Sequence, residues 1–359
     1  MSNVNFNIPA NDIVDAIKTC YHAKRTPLFI GPPGVGKTAM VRLAASHLQL
    51  ELVKPVHVEE FHLTSVSEVD VRGYLIPDGD NARFTKPAFW DAVENHPYGI
   101  LFLDEFVQAP HEVQKAVAPL IYERRIGSYQ LPDGWMVVLA GNGLDDGAGA
   151  NTLLSHVVNR LSIVKVNSPT PDDWAMWAIE AGLEPEVIAF AKFRPEVVFA
   201  GTVPKAPDAP YCTPRSIHAC SDLAKHYPGG IRAMVDNKLG MALLAGVIGG
   251  GPAGELAGLV RTAMNLPSYE QVVANPTGTP IPEGLDMRYA MVMLVAVRCQ
   301  LPHMEQVCTY LARFDPNFAV TGFVALCRRN PQFMGTPAAY QWIMANQPLL
   351  QKFSKYITV

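Results

Sequence analysis

The string Gly31-Pro32-Pro33-Gly34-Val35-Gly36-Lys37-Thr38 constrains this chain more than any other feature. It follows a short apolar run, Pro27-Leu28-Phe29-Ile30. It leads into Ala39–Leu48, where Val41, Leu43, Ala44 and Leu48 recur at helical spacing. Strand, glycine loop and helix in that order let backbone N–H groups surround phosphate oxygens. The glycines allow close approach, and the helix presents its positive end. In such a loop Lys37 reaches the β- and γ-phosphates and the Thr38 hydroxyl ligates Mg²⁺, so Gly31 to Ala39 is the candidate nucleotide-binding segment. A chance glycine-rich turn is the competing reading, and the flanking strand and helix argue against it.

A phosphate loop that supports hydrolysis needs carboxylates at the end of a neighbouring strand. Ile100-Leu101-Phe102-Leu103 is a buried-strand pattern that closes on Asp104 and Glu105. Asp104 is suited to hold the metal together with Thr38, and Glu105 to polarise the attacking water as general base. Met136–Ala140 is another apolar run, stopping at Gly141-Asn142-Gly143, and a further strand is expected near Leu52–Val58. Helical patterns at Asp12–Ala23, Ala39–Leu48 and Val113–Glu123 separate these runs. Together they predict an α/β fold, a parallel sheet with helices on both faces.

Residues 59–88 lose periodicity, with Gly73, Pro77, Asp78 and Gly79 marking a hairpin, and Gly127–Trp135 reads as a turn-rich excursion. From Asp172 onward the pattern is helical. The expected organisation is a core over 1–168 with an insertion at 59–88, an α-helical lid over 169–270 and an α-helical C-terminal tail over 283–359. Ala206–Pro210 and Asn275–Pro282 are the Pro-rich connections.

Composition narrows the function classes. The 359 residues suffice for about two domains. Lys and Arg number 29 against 33 Asp and Glu, so the net charge of −4 excludes a global basic field for nucleic acid. Only 17% of residues are charged, which agrees with a surface partly covered by self-assembly. The six cysteines are scattered without a C-x-x-C pair, so reduced, buried thiols are expected rather than disulfides or a zinc cage. His57 and His62 have no third ligand nearby. Met1–Ala10 has no signal-peptide pattern, and the longest uncharged apolar stretch, between Lys238 and Glu255, is broken by glycines. A cytoplasmic protein with no membrane contact is expected.

With these motifs in order, the chain resembles an AAA+ ATPase of the MoxR and dynein-related (AAA_5-type) branch. Gly31–Thr38, Leu103-Asp104-Glu105-Phe106, Gln114 and Glu123-Arg124-Arg125-Ile126-Gly127 carry the likeness. The resemblance implies a P-loop NTPase core with a helical lid, using ATP and Mg²⁺. It also implies a homo-oligomeric, hexameric ring that remodels a protein client, often beside a von Willebrand factor A domain protein. It assigns Asn142 as the sensor of the γ-phosphate. Arg160, in Asn159-Arg160-Leu161, is the arginine finger supplied in trans, and Arg215, in Thr213-Pro214-Arg215-Ser216, is a second sensor. Asp70-Val71-Arg72-Gly73 matches the branch's insertion. Arg124 and Arg125 face a pore, flank a solvated loop or reach across a subunit boundary; Arg42 is a surface or interface charge. Other classes sharing this site are a nucleic-acid motor or loader, a GTP-using relative and a nucleotide-switched scaffold.

Overall fold

The computed structural model describes residues 7–87, 89–143, 151–199 and 209–350. The chain divides into two compact units, an α/β unit up to Ser168 and a helical unit from Pro169 onward.

The strands of the α/β unit are β1 (Thr26–Ile30), β2 (His57–His62), β3 (Leu75–Asp78), β4 (Asn81–Phe84), β5 (Gly99–Asp104), β6 (Arg125–Ile126), β7 (Tyr129–Gln130), β8 (Trp135–Gly141) and β9 (Leu161–Lys165). Five of them form one parallel sheet in the order β2-β5-β8-β1-β9. Side chains alternate faces along a strand, and both faces here are apolar. Phe29, Ile100, Phe102 and Val138 point into a core with Ile13, Ile17, Val41 and Leu48 of helices Asp12–His22 and Lys37–Leu52. Leu28, Leu101, Leu103 and Val137 point the other way, against Val113, Val117 and Leu120 of helix His111–Tyr122. This is the helix-flanked parallel sheet expected from the apolar runs.

Two local expectations need correction. The second strand begins at His57, because Gln49-Leu50-Glu51-Leu52, good helix formers, prolong helix Lys37–Leu52 until Val53 ends it at φ 53°. Strand β9 was not expected at all; it pairs with β1 at the sheet edge, with Leu28 beside Ile163. The 59–88 insertion does hold a hairpin, β3 against β4, and before it a short helix, Glu68–Arg72. There the Ser67 hydroxyl, at 2.5 Å, and then the Ser67 N–H, at 2.8 Å, donate to Asp70 Oδ2, which caps the helix and holds the Asp70 carboxyl below its usual range.

Among the described residues, the helical unit has one continuous core. Ile188 and Phe190 (helix Pro185–Phe193), Met291 and Val295 (Leu285–Arg298), Val320 and Phe323 (Pro316–Arg329) and Trp342 (Pro337–Leu350) all belong to it. The described parts of 169–270 and 283–359, expected as lid and tail, thus bury their apolar faces together. Ala206 to Asp208 and the last nine residues, 351–359, lie outside the described residues. Among the described residues, no helix is long and apolar enough to cross a membrane.

Candidate functional site

Parallel strands place their carboxyl ends on one edge of a sheet, and open α/β sheets bind ligands there. The register brings Ile30 beside Gly141 and His62 beside Asp104. Because β8 lies between β1 and β5, Asn142 leaves the sheet between the glycine loop and the two carboxylates.

The loop's shape follows from its glycines. Gly36 has φ 93° and caps helix Lys37–Leu52 with no side-chain hydrogen bond, so no capping side chain occupies the first N–H groups. At Gly31 a Cβ would stand 2.6 Å from the Val166 carbonyl oxygen, so a side chain would push the loop off the chain beyond β9. Val35 is buried in the helix-side core, which anchors the loop's middle.

Lys37 is only 9% exposed. Its Nζ donates to Gly31 O at 2.6 Å, Pro32 O at 3.1 Å and Asn142 Oδ1 at 3.1 Å. A buried ammonium needs such partners, and here they hold it inside the loop. The Thr38 hydroxyl donates to Asp104 Oδ2 at 3.3 Å, while Asp104 Oδ1 accepts the Glu105 N–H at 2.8 Å. A hydroxyl and a carboxylate side by side are the hard oxygen donors magnesium takes, and the uncapped loop with its cation suits a phosphate. The residues present therefore fit a magnesium nucleotide.

Glu105 has φ 60°, left-handed for a residue with a side chain. The strand stops there, so Asp104 and Glu105 escape the alternation that would send them to opposite faces. The Thr64 hydroxyl, just beyond β2, donates to Glu105 Oε2. Sequence reasoning missed Thr64, and it also missed Gln108, whose carboxamide hydrogen-bonds the backbone of Asn142.

Residues 27–161 match the AAA domain family in its dynein-related subfamily. The likeness to that family is confined to this stretch of the α/β unit. The matched stretch runs from β1 to the start of β9 and contains the glycine loop, Asp104, Glu105, Asn142 and Arg160; Arg215 lies beyond it. Among solved structures, the chain is similar to a variant of Thermotoga maritima RuvB. The identity is 16% and the TM-score 0.40, over 69% of this chain and 68% of that one. It is also similar to closed-state Hsp104 with ATPγS and casein, at 18% identity and TM-score 0.37 over 50% and 38%. NtrX from Brucella abortus matches at 15% identity and TM-score 0.35 over 97% and 69%. No curated protein matches the chain significantly.

In the α/β unit, Lys37 is hydrogen-bonded to Asn142 and Thr38 to Asp104, and the Glu105 N–H bonds Asp104. The contacts of Arg160 are elsewhere. Its guanidinium stacks 4.7 Å above the Tyr122 ring and donates from Nη1 to His156 O at 2.7 Å. Arg215 is exposed on the first turn of helix Pro214–His226 in the helical unit, behind a Thr213–Ser216 capping box. Arg124 sits half-buried between helix His111–Tyr122 and β6. It has φ 54°, and its Nη2 donates to Pro132 O and Trp135 O, both at 2.8 Å, so it braces the excursion. Arg125 is exposed and paired with Glu123. Arg42 is held by both carboxylate oxygens of Glu60, at 2.6 and 3.0 Å.

Proposed function

We propose that this protein hydrolyses ATP to ADP and phosphate and acts as an oligomeric, ring-forming remodelling ATPase on a protein partner. The observation that carries the reading is the convergence of Lys37, Thr38, Asp104 and Asn142 at the carboxyl edge of the sheet. In this reading the loop N–H groups and Lys37 hold the phosphates. Magnesium, held by Thr38 and Asp104, supplies charge neutralisation on the phosphate oxygens. Glu105 takes a proton from water as its oxygen bonds the γ-phosphorus, and the bond from that phosphorus to the leaving ADP oxygen breaks. The Thr64 contact holds that carboxylate until it is needed. Asn142 contacts the γ-phosphate, Arg215 is its second sensor, and Arg160 reaches the nucleotide of a neighbouring copy. An arginine supplied across a boundary requires a heterologous, closing interface, so a hexameric ring is the proposed assembly. A von Willebrand factor A domain protein is the proposed kind of partner, and the cytoplasm the proposed location.

Replacing Glu105 tests the core of this reading. Glu105→Gln is expected to bind ATP as the unaltered protein does and to turn it over at least a hundredfold more slowly. Labelled-nucleotide titration and phosphate release measure the two quantities. A rapid phosphate burst from that variant removes Glu105 from the role of base. Absence of magnesium-dependent hydrolysis in the unaltered protein overturns the ATPase reading itself.

A further inference from the structure

The turn after β5 is built in an unusual way. Glu105, at φ 60°, turns the chain so sharply that its carbonyl accepts the N–H groups of both Gln108 (3.0 Å) and Ala109 (2.9 Å). The Phe106 N–H donates to Ala140 O at 2.8 Å, which lays the turn against the end of β8. The Gln108 side chain then meets Asn142 backbone on both sides: Gln108 Nε2 donates to Asn142 O at 3.0 Å, and the Asn142 N–H donates to Gln108 Oε1 at 3.2 Å. One carboxamide satisfies both backbone polar groups of one residue, as a neighbouring strand would, one step past the end of β8. Only an amide of this length offers a donor and an acceptor together. The turn is itself fastened. Asn151 Nδ2 donates to Gln108 O at 3.1 Å and to Ala109 O at 3.0 Å, and the Asn151 N–H donates to Val107 O at 2.8 Å. With its backbone so held, Asn142 presents Oδ1 to the Lys37 ammonium at 3.1 Å.

We propose that Gln108 is a positioning residue for Asn142. It fixes the backbone from which the Asn142 side chain meets the γ-phosphate, and it ties that side chain to the turn carrying Glu105. This rests on the reading of Asn142 as the γ-phosphate sensor given above. The physical content is preorganisation: an amide that must be ordered on each encounter with ATP distinguishes three phosphates from two less well than one already in place. Gln108 therefore acts on the difference between ATP and ADP rather than on nucleotide affinity in general.

The test is a double-mutant cycle in the full-length chain, with phosphate release, thermal melting and labelled-nucleotide titration of ADP and a non-hydrolysable ATP analogue. Asn142→Ala is expected to lower kcat about a hundredfold. Gln108→Leu leaves the Asn142 N–H and carbonyl without their partner. It is expected to lower kcat about tenfold, to weaken the analogue but not ADP, and to leave the helical unit's melting unchanged. The double variant is expected to be no slower than Asn142→Ala alone. Should Gln108→Leu fail to fold, Gln108→Glu, which retains an acceptor for the Asn142 N–H but no donor for its carbonyl, is read by the same measures. A slow Asn142→Ala beside a Gln108→Leu of unaltered speed and nucleotide preference overturns this proposal alone, and so do penalties that multiply in the double variant. Unaltered hydrolysis by Asn142→Ala overturns the sensor reading, and this proposal with it.

Discussion

The two units solve different problems with the same alphabet. Among the described residues, the side-chain-bearing residues with left-handed backbone are Lys24, Val53, Glu105 and Arg124, all in the α/β unit. One of them is the proposed base, and another braces the loop after helix His111–Tyr122. The helical unit instead gathers the buried thiols Cys212, Cys220, Cys299, Cys308 and Cys327 around one apolar core. Strained backbone persists where surrounding hydrogen bonds over-determine it, and such places cluster at functional sites. A core built from helix faces has no use for it. The comparison teaches that the glycine loop with its carboxylates and the large helical core are carried by different stretches of the chain, so each can be perturbed alone.

The largest separation is expected at Arg160. Arg160→Ala should bind ATP and assemble normally while hydrolysing it about 10³-fold or more slowly, as loss of an arginine at the γ-phosphate implies. Its melting curve should be unchanged, since the residue is exposed. Phosphate release at unaltered speed would remove Arg160 from its role.

Next comes the opposite case. Phe323 is 1% exposed and stacks on Trp342 at 4.1 Å. Phe323→Ala should cost about 3–5 kcal/mol of stability, seen as a lowered melting transition by circular dichroism. Below that transition, labelled-nucleotide binding to the α/β unit should be intact. Loss of binding at low temperature would show that the two units are not separable in this way.

The thiols give a gentler test through pH. Burial pushes Cys212, Cys220, Cys308 and Cys327 up to about 12 and Cys299 to about 11, from an ordinary value of 9.0. Below pH 9 folded and unfolded chains both keep these protons, so they add no pH dependence. Above it only the unfolded chain releases them, so stability falls from pH 9 toward 12. Melting of the full chain between pH 8 and 10 should show this decline. Iodoacetamide at pH 8 should label half-buried Cys20 of the α/β unit before any of the five, read by mass spectrometry. Equal labelling rates would contradict the buried assignment.

Much of this was legible in the residues because the physics is local. The glycine loop needs only its own eight residues and their flanks, and β5 and β8 are continuous apolar runs that end on polar residues. Strand β9 was not legible, since Leu161-Ser162-Ile163-Val164-Lys165 is a half-exposed edge strand whose partner lies far back in the chain. Thr64 and Gln108 are ordinary polar residues until their partners, 41 and 34 residues away in sequence, are known. Arg124 reads as a surface charge because two adjacent arginines in a turn-rich stretch suggest solvent; its carbonyl partners, eight and eleven residues on, come beside it only when the chain folds back.

The undivided interior beyond Pro169 sets a limit on how this polypeptide can be shortened. A cut near residue 270 would pass through neither linker nor seam. It would strip helix Leu285–Arg298 from helix Pro185–Phe193 and lay bare Ile188 and Phe190. Such a fragment would meet water with a hydrophobic face and clump, so anyone expressing the α/β unit by itself must stop at the boundary near Ser168, and leaves Arg215 behind in doing so.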